Sequence, residues 1–222
     1  MQERVVLDRT TTGDGETLEL AIEHGHHIIR IGGVPLMSSS MSGSEEAMAE
    51  IACQELGPIA SPRILIGGLG MGFTLRATLD AFEDVAEVCV AELMGDIIRY
   101  NRAFLADLTD RAIEDRRVEV FEGDVRKKLT VGGWHVILMD VDNGPDALSA
   151  RSNRYLYSAR GVELMARALA PGGVLVVWSA YPSPRFLERL RYTGLSARAA
   201  TVRGRWPISK GPMHTLFVGT KP

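Results

Sequence analysis

An apolar run that breaks into closely spaced glycines constrains this 222-residue chain most. Ile64-Leu65-Ile66 passes into Gly67-Gly68-Leu69-Gly70-Met71-Gly72, and a helical pattern opens there. Met71, Leu75, Thr78, Leu79 and Phe82 recur at spacing near 3.6. This is how a buried parallel strand turns sharply into a helix. Gly68, Gly70 and Gly72 carry no Cβ, so the backbone can take positive φ and approach a ligand closely. Glu92 ends the next apolar run, Val88-Cys89-Val90-Ala91, twenty residues after Gly72. A carboxylate there can accept two hydrogen bonds from ribose hydroxyls. Any tight strand-to-helix turn uses glycine; strand, glycines, helix, strand and acid in this order point further, to a nucleoside-type cofactor.

The balance of residues narrows the partners. With 45% hydrophobic and 24% charged residues, the chain can bury a full core. A net charge of −3 and no basic stripe predict no nucleic-acid partner. Cys53 sits in a helical pattern and Cys89 in an apolar strand, so both read as buried free thiols, which suits a reducing cytoplasm. Met1-Gln2-Glu3-Arg4 carries no apolar leader, and no segment is long enough to span a bilayer. The expectation is a cytoplasmic protein with a small-molecule substrate and no membrane partner.

Residues 1–41 form one unit in this reading and 42–222 another. In the first, Val5 to Leu7, Thr17 to Glu23, His27 to Ile31 and Val34 to Met37 read as short strands. Gly13-Asp14-Gly15, His24-Gly25 and Gly32-Gly33 are their turns. Such a hairpin unit is too small to stand alone and must pack on the main domain or on a second subunit. Ser42-Gly43-Ser44-Glu45 reads as a capping box that starts a helix reaching about Leu56, stopped by Gly57-Pro58. Beyond it, strands at 63–67, 86–91, 117–121, 134–140, 173–179, 195–203 and 214–219 alternate with helices near 71–82, 94–105, 124–129, 157–169 and 184–192. This predicts an α/β fold: a largely parallel seven-stranded sheet covered on both faces, with the last two strands antiparallel. It matches a class I methyltransferase-like, Rossmann-like sheet.

Ligands of such sheets sit beyond the carboxyl ends of the strands. Gly68, Leu69, Gly70 and Gly72 follow the first strand, Glu92 the second and Asp124 the third. Asp124 can accept a hydrogen bond from an adenine amino group or serve as a helix N-cap. After the fourth strand, Asp140-Val141-Asp142-Asn143-Gly144-Pro145 is the candidate reaction centre. Asp140 closes the apolar strand Val136-Ile137-Leu138-Met139 and can orient a cationic amine or take its proton. Asp142 joins it only if the chain turns, as Gly144-Pro145 indicates; the alternative is an Asx-stabilised turn. Trp178 and Tyr181-Pro182 can wall a substrate pocket, although Trp178 can equally cap the core. The 142–156 stretch is long for a connection and has the length of a lid; Arg151 and Arg154 in it can meet an anion or stay solvated. His24, His26 and His27 have no Cys or acid at ligand spacing, so no metal is predicted.

On these residues the chain resembles the spermidine synthase family, in particular its short bacterial spermidine synthase-like members. The likeness runs through the N-terminal hairpins, the glycine loop and the Pro171-Gly172-Gly173 turn. It implies a class I methyltransferase-like fold behind a small β unit, assembly as a homodimer, and decarboxylated S-adenosylmethionine donating an aminopropyl group to an amine. It implies that Gly68, Gly70 and Gly72 line the cofactor, Glu92 holds the ribose and Asp124 the adenine. Asp140 matches the first aspartate of the family's D-S-S-D-P motif, which acts on the attacking amine. The departures are specific. Where the family reads G-G-G-D-G-G, this chain has Gly68-Leu69-Gly70-Met71-Gly72-Phe73, with Met71 replacing an aspartate that grips the cofactor's terminal amine. Leu36 to Glu46 lacks the tyrosine and histidine of the family's polyamine segment. A polycation needs several acceptors along its channel. The sequence therefore favours methyl transfer from S-adenosylmethionine to a small soluble substrate, catalysed by Asp140 and Asp142. The alternatives are aminopropyl transfer to an unusual amine and a non-catalytic adenosyl-ligand binder.

Overall fold

In a computed structural model, which describes residues 4–13, 15–83, 87–141, 144, 154–204 and 211–222, two sheets share one core. The first is a four-stranded antiparallel meander of β1 (Val5–Thr11), β2 (Thr17–Glu23), β3 (His26–Ile31) and β4 (Val34–Ser38). Alternation aims Leu18, Leu20 and Ile29 to one side, and these join the main hydrophobic cluster of the second sheet. The meander is therefore a wall of the main domain. An Arg99–Asp8 ion pair of 2.7 Å ties the two together at the rim.

Next come α1 (Gly43–Leu56), β5 (Arg63–Gly67), α2 (Phe73–Ala81), β6 (Glu87–Glu92), α3 (Gly95–Ala103), β7 (Val118–Glu122), α4 (Arg126–Val131) and β8 (Trp134–Met139). The chain ends with α5 (Arg154–Tyr157), α6 (Ala159–Ala168), β9 (Leu169–Ser179), α7 (Pro184–Tyr192), β10 (Ser196–Arg203) and β11 (Met213–Thr220). The seven-stranded sheet has the order β10-β11-β9-β8-β5-β6-β7, and only β11 runs against its neighbours. The expected α/β class and the terminal antiparallel pair are both present.

The central strands show why the sheet is covered on both faces. Ile64 and Ile66 of β5, Val136 and Leu138 of β8, and Val174 and Val176 of β9 pack with Met48, Leu75, Leu79 and Ile97. The intervening Leu65, Ile137, Met139, Leu175 and Val177 pack with Leu129, Val162, Met165 and Phe186 on the other side. With apolar residues on both faces, the strands lose the alternation of a half-exposed sheet. Several boundaries differ from expectation, the start of β9 among them. β9 starts at Leu169, and Pro171-Gly172-Gly173 lies inside it as an irregularity, because the pairing slips between Trp134 and Val136.

Strand order reverses between β5 and β8, and there the loops after the two strands part. No helix among the described residues is long and apolar enough to cross a membrane.

Candidate functional site

The crevice at the reversal is a cleft of about 1130 Å³. Its floor is the loop after β5. Gly68, Gly70 and Gly72 take φ of 91°, 53° and 87°. The residues between them turn inward: Leu69 and Met71 are buried in the core. The loop thus offers backbone to the cleft and side chains to the interior. Met71, which stands where the resemblance implies an aspartate, packs its side chain in the core. Gly68 cannot carry a side chain, because a Cβ there would meet the Asp140 carbonyl oxygen at 2.3 Å. One at Gly70 would point to Met37 of the N-terminal sheet, 3.6 Å away.

Glu92 holds the loop in place. Its Oε2 accepts from the Leu69 amide and its Oε1 from the Met94 amide, both at 2.9 Å. Each oxygen keeps a second lone pair for an incoming hydroxyl. Asn101, which the sequence reading passed over, donates to the Gly70 carbonyl at 2.8 Å and braces the loop from behind. Its signal was only a polar residue at a buried helical position.

Asp124 lies at the same end of the cleft. Its Oδ1 accepts from the Arg126 amide at 2.9 Å, so it starts α4 much as a capping residue does. The Arg126 guanidinium also binds it and holds its carboxyl below the usual range. The same guanidinium lies over the Tyr155 ring at 5.2 Å.

At the opposite end stands Asp140, at the tip of β8. Thr74 Oγ1 donates to its Oδ2 at 2.6 Å. Burial pushes the Asp140 carboxyl up, and the Glu92 charge adds to this. A second carboxylate, unremarked in the sequence beyond its place in the capping box, faces the same space. Glu45 lines the cleft from α1, and burial followed by the Asp140 charge pushes it up to about 7. The capping box does not form: Ser42 makes no side-chain cap and donates instead to Glu46 Oε1 at 2.9 Å. Glu45 is left with Ser44, whose hydroxyl donates to its Oε2 at 2.6 Å. Trp178, Tyr181, Met37, Met41, Met213 and His214 also line the cleft, and Trp178 packs on the core as well.

Asp142, Arg151 and most of the 142–156 stretch lie outside the described residues, as does Asp14 of the first turn. Arg154 opens the short α5. Among the described residues no cluster of His, Cys, Asp and Glu could hold a metal.

The parts together define a class: a Rossmann-like domain whose cleft is walled by a β-meander and lined by the carboxylates Glu45 and Asp140. Two solved structures share this fold, a spermidine synthase in complex with the transition state analogue AdoDATO and the spermidine synthase from Thermotoga maritima. Each superposes with a TM-score of 0.77 at 17% identity, covering 98% of this chain and 73% of the other. This chain therefore has the spermidine synthase fold. No protein family profile and no curated relative matches the sequence.

Proposed function

We propose that this protein is a transferase that moves the aminopropyl group of decarboxylated S-adenosylmethionine to an amine. The observation that carries the reading is the charge of the cleft. Glu45, Glu92, Asp96, Asp124 and Asp140 line it, against one guanidinium, Arg126, and one imidazole, His214, among the described residues. Arg126 is already engaged by Asp124 at the far end. Among the described residues the carboxylate of intact S-adenosylmethionine finds no other cation in the cleft and would face Glu45 and Asp140. The decarboxylated form presents only a sulfonium and an ammonium, which match an acidic lining. The spermidine synthase fold favours the same choice over the methyl transfer that the sequence favours.

The residues fit the cofactor. The bare loop at Gly68 and Gly70 admits the nucleoside, Glu92 takes the ribose hydroxyls on its free lone pairs, and Asp124 takes the base amino group. Exposed Leu93 and buried Val125 flank the base. When bound, the sulfonium supplies an electrophilic carbon and a neutral thioether leaving group. The chain's part is to hold the amine and free its lone pair. An alkylammonium sits between Asp140 and Glu45, and Asp140, oriented by Thr74, takes an N–H proton. Packing by Trp178 and the methionines keeps water out, which strengthens each of these contacts. The N-terminal unit, 1–41, acts as the outer wall through Met37. Exposed Val5, Val6, Val34 and Leu36 on that sheet support a homodimer, which sedimentation tests.

Calorimetry with the two cofactor forms decides between methyl and aminopropyl donors. The decarboxylated form is expected to bind at least tenfold tighter, about 1.4 kcal/mol. Tighter binding of intact S-adenosylmethionine refutes the reading. A non-catalytic binder would take up the nucleoside yet give no product with any amine.

A further inference from the structure

Glu45 is one end of a hydrogen-bonded chain along the cleft wall, and His214 at its other end lines the cleft too. Ser44, 1% exposed, donates to Glu45 Oε2 at 2.6 Å, and its oxygen lies 2.9 Å from His214 Nδ1. A hydroxyl has one proton to give. With Glu45 ionised that proton goes to the carboxylate, so Nδ1–H must donate to Ser44 and Nε2 is left as the basic nitrogen. With Glu45 protonated the chain runs the other way: Glu45 O–H to Ser44, Ser44 O–H to Nδ1, and the ring proton on Nε2. The Trp178 ring edge holds the imidazole at 4.8 Å between centroids, and His214 is itself only partly buried. Burial lowers its proton affinity, so it rests neutral and able to work in both directions.

We propose that Glu45, Ser44 and His214 form a proton relay through which the carboxylate pair empties as the acceptor amine enters. The inference rests on the amine-acceptor reading given above. Glu45 touches the amine; Ser44 and His214 are positioning residues that act through it. In the outward step the Glu45 O–H bond breaks and its proton goes to Ser44 Oγ. The Ser44 proton passes to Nδ1, and Nε2 gives its proton to water. One proton leaves the carboxylate and one reaches solvent. The alkylammonium then faces two carboxylates, and the N–H proton it gives to Asp140 puts a proton back on the pair. The charges facing Glu45 are Asp140 from the tip of β8 and Glu46 from its own helix, with His214 of β11 reached through Ser44. Glu92 of β6 acts on Asp140 from the other side.

The test reads protons rather than turnover. Protein loaded with 5′-methylthioadenosine is mixed at pH 7 with 1,4-diaminobutane in weak buffer containing an indicator dye. The wild type is expected to release about half a proton per site, because Glu45, pushed up to about 7, is about half protonated at this pH and empties as the ammonium enters. Glu45→Gln is expected to release almost none. Ser44→Ala and His214→Gln are expected to release the same amount about tenfold more slowly, with imidazole in the buffer restoring the rate in His214→Gln. A merely structural role for Ser44 and His214 predicts a wild-type rate in both. That result overturns the relay while leaving the amine site standing. Ser44→Ala removes a single oxygen and serves alone if His214→Gln does not fold. A wild type that binds the nucleoside but takes up no amine and releases no proton overturns the relay together with the amine reading. Failure to bind the nucleoside refutes the cofactor assignment itself.

Discussion

Replacing Gly68 by alanine tests the close backbone approach between the glycine loop and the tip of β8. Gly68 has φ +91°, and an added Cβ would stand 2.3 Å from the Asp140 carbonyl oxygen and 3.0 Å from its carbon. Those are backbone atoms, so no rotamer change relieves the clash. Two costs add. A side chain at positive φ costs about 1–2 kcal/mol, and forcing apart packed backbone costs about 1–3 kcal/mol more. Gly172 separates the two: its φ is +73°, yet a Cβ there meets nothing within 4 Å. Gly172→Ala should therefore cost about 1 kcal/mol and lower Tm by about 2–4 °C, while Gly68→Ala at about 3 kcal/mol lowers it by about 6–12 °C. Denaturant unfolding and thermal melts of the pair give the steric part by subtraction. Opening the contact to an ordinary distance also moves the Asp140 backbone by about 1 Å, enough to cost about 100-fold in turnover. Equal destabilisation by the two substitutions would falsify the close packing of the loop on Asp140.

Asp140→Asn should leave 5′-methylthioadenosine binding within about twofold of wild type but lower kcat by about 100-fold or more; wild-type turnover removes it from the chemistry. Glu92→Gln keeps an acceptor for one amide but loses the charge, and nucleoside affinity should fall by about tenfold in calorimetry. Glu45 gives a pH signature of definite sign. Its folded pKa of about 7 lies above its ordinary 4.5, so burial disfavours the ionised form. The stability held in the protonated form is complete below pH 4.5 and is lost as pH rises toward 7. Glu45→Gln should therefore raise Tm at pH 8 and flatten that slope; a lower Tm at pH 8 shows the carboxylate to be paired instead.

Much of this could be read from the chain because the strands are continuous apolar runs and the glycines are fixed by local geometry. The bounds of β5, and the places of Glu92 and Asp140 at strand tips, follow from pattern alone. What escaped notice depends on contacts far apart in sequence. Asn101 braces Gly70 from 31 positions away, and Thr74 orients Asp140 from 66. Glu45 had a local explanation, the capping box, that tertiary structure overrode, since α1 packs across the sheet and brings Glu45 to the cleft. Met71 looked like a lost ligand because a one-dimensional comparison cannot tell that the loop alternates inward and outward.

The excess of negative charge around the crevice also sets how fast a ligand arrives. A low-dielectric mouth of one sign draws dications from solution and speeds their capture. Added salt shortens the reach of that field to about 8 Å at physiological strength. The association rate for a doubly charged donor should therefore fall steeply with ionic strength, while its escape, governed by contacts deep inside, stays nearly constant. Magnesium would compete for the same field at the entrance and slow that capture.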